Sequence, residues 1–199
     1  MTVVKICGVT RAEDAAAAVA AGADMIGVVF WAPSPRVASE EQARHVREAV
    51  PAGVELVGVF VDEDPRRIDE LIESAGLDRV QLHGAEPRAL IEHYGARAIR
   101  GVRDGDVSDV PPGVPVVYDR PWGETRDVEA LYAHWRLASS LVADCLLLLA
   151  GRLDPENVAQ AVAEVRPYGV DCASGVESAA GIKDHERVRR FVAAAKEVG

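Results

Sequence analysis

Eight short runs of apolar and β-branched residues punctuate this 199-residue chain at nearly regular intervals, and most are followed by a stretch with helical periodicity. The runs are Val3 to Cys7, Met25 to Phe30, Leu56 to Val61, Arg79 to Leu82, Ala98 to Val102, Val114 to Asp119, Cys145 to Ala150 and Gly169 to Cys172. Their length and composition predict strands. Between and after them, Glu13 to Ala21, Ser39 to Val50, Pro65 to Ala75, Pro87 to Tyr94, Val128 to Ser140, Pro155 to Val165 and Asp184 to Val198 read as helices. Ile68, Leu71, Ile72 and Ala75 supply one apolar stripe, and Val188, Phe191, Val192 and Ala195 another. Ser39 followed by Glu41 and Gln42, and Asp154 followed by Pro155, have the chemistry of helix starts. Only Arg103 to Pro112, rich in Asp, Gly and Pro, offers no helix.

Strands this apolar along their whole length need cover on both faces, as parallel strands joined by helical crossovers have. At 49% hydrophobic residues the chain can bury one substantial core. An open doubly wound sheet is the alternative, but eight units in one short chain, with no Gly-x-Gly-x-x-Gly after the first run, favour closure. The expected architecture is α/β: a single-domain (βα)8 TIM barrel over residues 1–199, with the fifth crossover helix short or missing.

Cys7, Cys145 and Cys172 are odd in number and have neither disulfide nor metal spacing, which fits a reducing compartment. Charged residues appear too early for a signal peptide, and the longest apolar run, Cys145 to Ala150, is far below a membrane span. The expectation is a soluble, cytoplasmic protein without membrane contact. A formal net charge of −10 speaks against nucleic acid, and it obliges an anionic substrate to find a local positive site. The expected state is a monomer or a homodimer.

A barrel of this kind carries its chemistry at the carboxyl ends of its strands. Cys7 ends the first strand, and Lys5 shares its face by the period of two, where an ammonium would favour thiolate. Taken alone, such a cysteine is more often a small buried hydrophobe. Asp119 closes the sixth strand, as loop-capping aspartates commonly do; Asp171 sits near the end of the eighth. Gln81 and His83 share one face of the fourth. Ser34-Pro35-Arg36 follows the second strand, and its guanidinium could hold a carboxylate that the acidic protein otherwise repels. Gly151 with Arg152, and Ser174 with Gly175, follow the seventh and eighth strands, where barrels frequently cradle phosphate on backbone N–H groups.

Lys5-Ile6-Cys7-Gly8, Ser34-Pro35-Arg36, Val57-Gly58-Val59-Phe60, Val80-Gln81-Leu82-His83-Gly84, Leu149-Ala150-Gly151, Pro155-Glu156-Asn157-Val158 and Arg166-Pro167-Tyr168-Gly169-Val170-Asp171 together resemble the phosphoribosylanthranilate isomerase family. Ser174-Gly175-Val176-Glu177-Ser178 and Gly181-Ile182-Lys183-Asp184 match the same family, so the likeness runs from the first strand to the last helix.

The resemblance implies a cofactor-free, metal-free Amadori rearrangement of N-(5-phosphoribosyl)anthranilate, a step of tryptophan biosynthesis. By the same resemblance Asp119 is the general acid and Cys7 the general base. Arg36 pairs with the anthranilate carboxylate, and Asp171 holds a ribose hydroxyl. Gln81 and His83 line the cavity, and Gly151, Arg152, Ser174 and Gly175 surround the phosphate. Two departures stand out. Arg152 takes the place of a usual second glycine, and Trp122-Gly123-Glu124-Thr125 replaces a glycine-rich flap after Asp119. A related barrel isomerase acting on another phosphosugar-arylamine, or a non-catalytic ligand-binding barrel, stays open on the residues alone.

Overall fold

A computed structural model describes residues 2–103, 105–120 and 127–198. The fold is a closed barrel of eight parallel strands in chain order, β1 (Val3–Ile6), β2 (Met25–Val29), β3 (Glu55–Phe60), β4 (Arg79–Leu82), β5 (Ala98–Val102), β6 (Val116–Tyr118), β7 (Leu147–Leu149) and β8 (Gly169–Cys172). Closure comes from β1 pairing with β8, which sets Lys5 opposite Asp171 and Ile6 opposite Cys172. Each run expected as a strand overlaps one. β3 begins a residue earlier, at Glu55, and elsewhere the ends match or trim by a residue or two, because the ladder stops where the chain turns into a loop.

Helices α1 (Ala12–Ala21), α2 (Glu40–Ala49), α3 (Pro65–Ala75), α4 (Arg88–Tyr94), α5 (Val128–Leu141), α6 (Val158–Val165) and α7 (His185–Val198) cover the barrel. Among the described residues, β5 and β6 are joined without a helix, as Arg103 to Pro112 predicted. The starts follow local chemistry. Ser39 and Gln42 exchange hydrogen bonds in a capping box at α2, and Asp64 caps α3 ahead of Pro65. The expected start of α6 needs correction. Asp154 accepts from the N–H groups of Glu156 and Asn157, while Asn157 accepts from the Asp154 N–H. These bonds close a separate turn, so the regular helix begins at Val158 and not at Pro155.

Two apolar layers result. Met25, Val57, Ile99, Val117, Leu148 and Ala150 fill the barrel, and a larger shell that includes Ile26, Leu56, Phe60, Trp135 and Phe191 packs between strands and helices. Lys5, fully shielded from solvent, brings a charged side chain into the buried interior. Beyond β8 the chain makes a 3-10 turn, Ser174–Val176, and then a two-stranded antiparallel hairpin of β9 (Glu177–Ala179) and β10 (Ile182–Lys183). Asp14 on α1 anchors this hairpin by accepting from the Lys183 N–H at 3.1 Å and standing 2.7 Å from His185 Nε2. No helix among the described residues is long and apolar enough to cross a membrane.

Candidate active site

A cavity of about 390 Å³ opens at the carboxyl ends of the strands. Cys7, Arg36, Gln81, His83, Asp119, Gly151, Arg152, Asp171 and Ser174 all line it. The chain therefore brings together, from six of the eight strands and the loops that follow them, nine of the ten residues the sequence singled out.

The exception is Gly175. Its amide is directed at the buried Cys172 sulfur, its carbonyl accepts from Arg187 Nε at 2.9 Å, and its Cα backs onto the Leu153 carbonyl with no room for a Cβ. Gly175 thus clamps the β7 and β8 loops together behind the cavity wall instead of forming that wall.

Cys7 lies one residue past β1, where its N–H still donates to the Cys172 carbonyl at 2.8 Å. Its sulfur and the Lys5 ammonium reach over Gly27 of β2, and a side chain there would collide with both. Lys5 Nζ donates to Asp171 Oδ1 at 3.0 Å, a buried ion pair across the seam where the barrel closes. This arrangement modifies the thiolate expectation. Burial pushes the Cys7 thiol up; Lys5, by its charge and a hydrogen bond, offsets only part of that, and Asp171 opposes thiolate. For Lys5, burial disfavours the charged form, but Asp171 and Cys7 outweigh it and hold the ammonium protonated.

Asp119 follows β6 and is likewise driven up by burial, although its Oδ1 accepts from the Arg120 N–H at 2.8 Å and Arg103 and Lys5 act in the other direction. A carboxyl raised in this way can carry a proton to a substrate. Gln81 Nε2 stands 3.0 Å from His83 Nδ1. Burial, then Arg103, Lys5 and Arg100, lowers the His83 pKa to about 3, so the imidazole is neutral at physiological pH. A neutral ring suits hydrogen bonding to substrate better than proton storage.

Sequence reasoning passed over Arg103, which lines the cavity directly after β5 and donates from Nη1 to the His83 carbonyl at 3.3 Å. Its strand-end address is the signal for it, masked by the Asp, Gly and Pro of the helix-free crossover that it opens. Trp31, after β2, also lines the cavity. The Trp122-Gly123-Glu124-Thr125 segment lies outside the described residues.

Arg152 adopts a left-handed backbone conformation, φ 60°, immediately after Gly151 at φ 87°. A non-glycine residue there costs about 1 kcal/mol, and Arg152→Gly also gives the unfolded chain about 0.5–1 kcal/mol of extra entropy. The two nearly cancel, so Tm is expected to shift by less than about 4 °C. The guanidinium should matter more. Arg152→Gly is expected to weaken inhibition by inorganic phosphate about three- to tenfold, in line with one charge-assisted hydrogen bond at an exposed position. An unchanged inhibition constant would count against an Arg152–phosphate contact.

Against known proteins, a family model described as N-(5'phosphoribosyl)anthranilate (PRA) isomerase matches residues 4–110 and 129–194. The N-(5'-phosphoribosyl)anthranilate isomerase of Halorhodospira halophila is 44% identical over 198 residues, covering 96% of this chain and 95% of that one. The crystal structure of phosphoribosyl anthranilate isomerase from Thermotoga maritima superposes with a TM-score of 0.87 at 37% identity, covering 99% of this chain and 100% of its own. A further structure of such an isomerase, in complex with reduced 1-(o-carboxyphenylamino)-1-deoxyribulose 5-phosphate, matches with a TM-score of 0.84 at 36% identity, over 99% and 100% of the two chains.

Proposed function

The chain belongs to the N-(5'phosphoribosyl)anthranilate (PRA) isomerase family, and from that premise we propose that it carries out the Amadori rearrangement of N-(5-phosphoribosyl)anthranilate to 1-(2-carboxyphenylamino)-1-deoxyribulose 5-phosphate in tryptophan biosynthesis. The observation that carries this reading is the convergence of a raised carboxyl, Asp119, and a thiol, Cys7, from β6 and β1 on one cavity.

Asp119 gives its proton to the ribose ring oxygen as the C1'–O bond breaks, and the nitrogen lone pair forms the iminium ion. That cation acidifies C2'–H. Cys7 thiolate takes this proton, the C–H electrons form the C1'–C2' double bond of an enolamine, and tautomerisation moves a proton to C1' to leave the C2' ketone. The overall change is an isomerisation, with no net oxidant and no cofactor. Every group used lies on a single copy of the chain.

Arg36 is the cation for the anthranilate carboxylate. Its stem lies across Gly8, which sits at φ 68° with no space for a side chain, so the guanidinium is carried over the same rim as Cys7. Asp171, held by Lys5, faces the ribose hydroxyls. The phosphate takes the other side, against Gly151, Arg152 and Ser174, where strand-end backbone N–H groups can meet it. Arg36→Ala is expected to raise KM about ten- to a hundredfold, the weight of one charged hydrogen-bonded pair, with kcat little changed. A large fall in kcat at unchanged KM would contradict that role.

The reading is tested by complementation. Expressed in a bacterium lacking its own phosphoribosylanthranilate isomerase, the chain is expected to restore growth without tryptophan and the Cys7→Ala variant to fail. Failure of the folded wild-type chain to restore growth would contradict it.

A further inference from the structure

The sequence singled out Arg36 but gave no role to Glu177 or Lys183, although both stand in motifs it quoted. The structure joins all three. Arg36 donates from Nε to Glu177 Oε1 at 2.9 Å and from Nη2 to Glu177 Oε2 at 2.8 Å, a two-pronged ion pair between loops 141 residues apart. Behind it, Lys183 Nζ donates to Glu177 Oε1 at 2.8 Å and to the Ala173 carbonyl at 3.1 Å. The Gly181 N–H also reaches Glu177 Oε1, at 3.2 Å. Glu177 and Lys183 face each other across the β9–β10 hairpin. Side-chain exposure falls from 22% at Arg36 to 5% at Glu177 and 0% at Lys183, so the network runs from the cavity rim into the protein.

A guanidinium has two edges able to meet a carboxylate with paired N–H groups. Glu177 occupies the Nε–Nη2 edge, which leaves the Nη1–Nη2 edge. We propose that Glu177 is a positioning residue: it locks the Arg36 guanidinium so that the free edge meets the substrate's ring carboxylate, and Lys183 keeps the trio at one net positive charge. Without Lys183, Glu177 would cancel the cation that an acidic protein needs for an anionic substrate. The inference rests on the assignment of Arg36 to the carboxylate.

Charge and position make opposite predictions, which allows a clean test. Glu177→Gln leaves two cations facing each other; by Coulomb attraction alone, the anionic substrate should then bind more tightly. If the lock matters, binding weakens, because Arg36 loses its fork and is repelled by Lys183. The double variant Glu177→Gln with Lys183→Met removes the buried pair, keeps the net charge of one, and protects the test from misfolding caused by a stranded buried cation. The probes are the reduced product analogue with its ring carboxylate and the same molecule without it, titrated against wild type, both Glu177 variants and Arg36→Ala.

In both Glu177 variants the preference for the carboxylated analogue is expected to fall about tenfold, with KM rising in parallel and kcat within about twofold. Affinity for the analogue without the carboxylate should hold. In Arg36→Ala the preference should be lost. A wild-type preference in the Glu177 variants, while Arg36→Ala loses it, overturns the positioning role and leaves the Arg36 assignment standing. A wild-type preference in Arg36→Ala overturns the assignment itself. Failure of both Glu177 variants to fold would assign the network to stability alone and overturn the proposal.

Discussion

Cys7→Ala is expected to lower kcat by about two to four orders of magnitude, the usual worth of a positioned proton acceptor, while the protein stays folded. The fold is expected to tolerate the change because the sulfur lines the cavity and its hydrogen-bond partner, Lys5, keeps its pair with Asp171. The alanine backbone still donates to Cys172, and the Lys5–Asp171 pair is untouched. The pH profile carries the sharper signature. Activity requires thiolate, and burial raises the Cys7 thiol above its ordinary value, so wild-type kcat/KM falls toward acid as the thiol takes its proton. In Cys7→Ala that acid-side fall should vanish from the residual activity. A variant that loses activity but keeps the limb would show that another group is the base.

Asp119→Asn is the complementary case, with a loss of similar size, about two to four orders of magnitude in kcat. Here the proton must be present on the carboxyl, and burial favours that form. Wild-type activity should therefore decline toward alkaline pH as Asp119 ionises. Asparagine keeps the volume, and its side-chain oxygen still accepts from the Arg120 N–H, but it cannot release a proton to the ring oxygen. The alkaline decline should disappear and kcat/KM should climb with pH until Cys7 is fully ionised. Because the two residues act in one sequence of proton transfers, the double variant should lose little beyond the worse single one.

Much of this architecture is written locally. A run such as Leu146 to Ala150 is apolar on both faces, which only a covered parallel strand accommodates, and the Asp, Gly and Pro of residues 103–112 foretell the absence, among the described residues, of a helix between β5 and β6. Once the barrel is inferred, period-two alternation places Lys5 under Cys7, and strand ends become addresses for Asp119, His83 and Asp171. What stayed hidden depends on closure. Lys5 meets Asp171 only because β1 pairs with β8 in one register, and burial within the closed barrel, with Asp171 acting in the same direction, outweighs the thiolate-favouring effect expected of the lysine. Arg36 meets Glu177 only when the loops after β2 and β8 stand side by side. Gly175 read as a phosphate ligand by its position in a loop, whereas its lack of a side chain serves close approach to the Leu153 carbonyl. Pairings of this reach leave no periodic trace in a single sequence.

The central claim is most directly tested by adding purified protein to freshly prepared N-(5-phosphoribosyl)anthranilate and following the loss of anthranilate fluorescence. The account predicts saturable turnover by the wild type and its near abolition in both Cys7→Ala and Asp119→Asn. Undetectable turnover by folded wild-type protein, or wild-type rates in either variant, would contradict it.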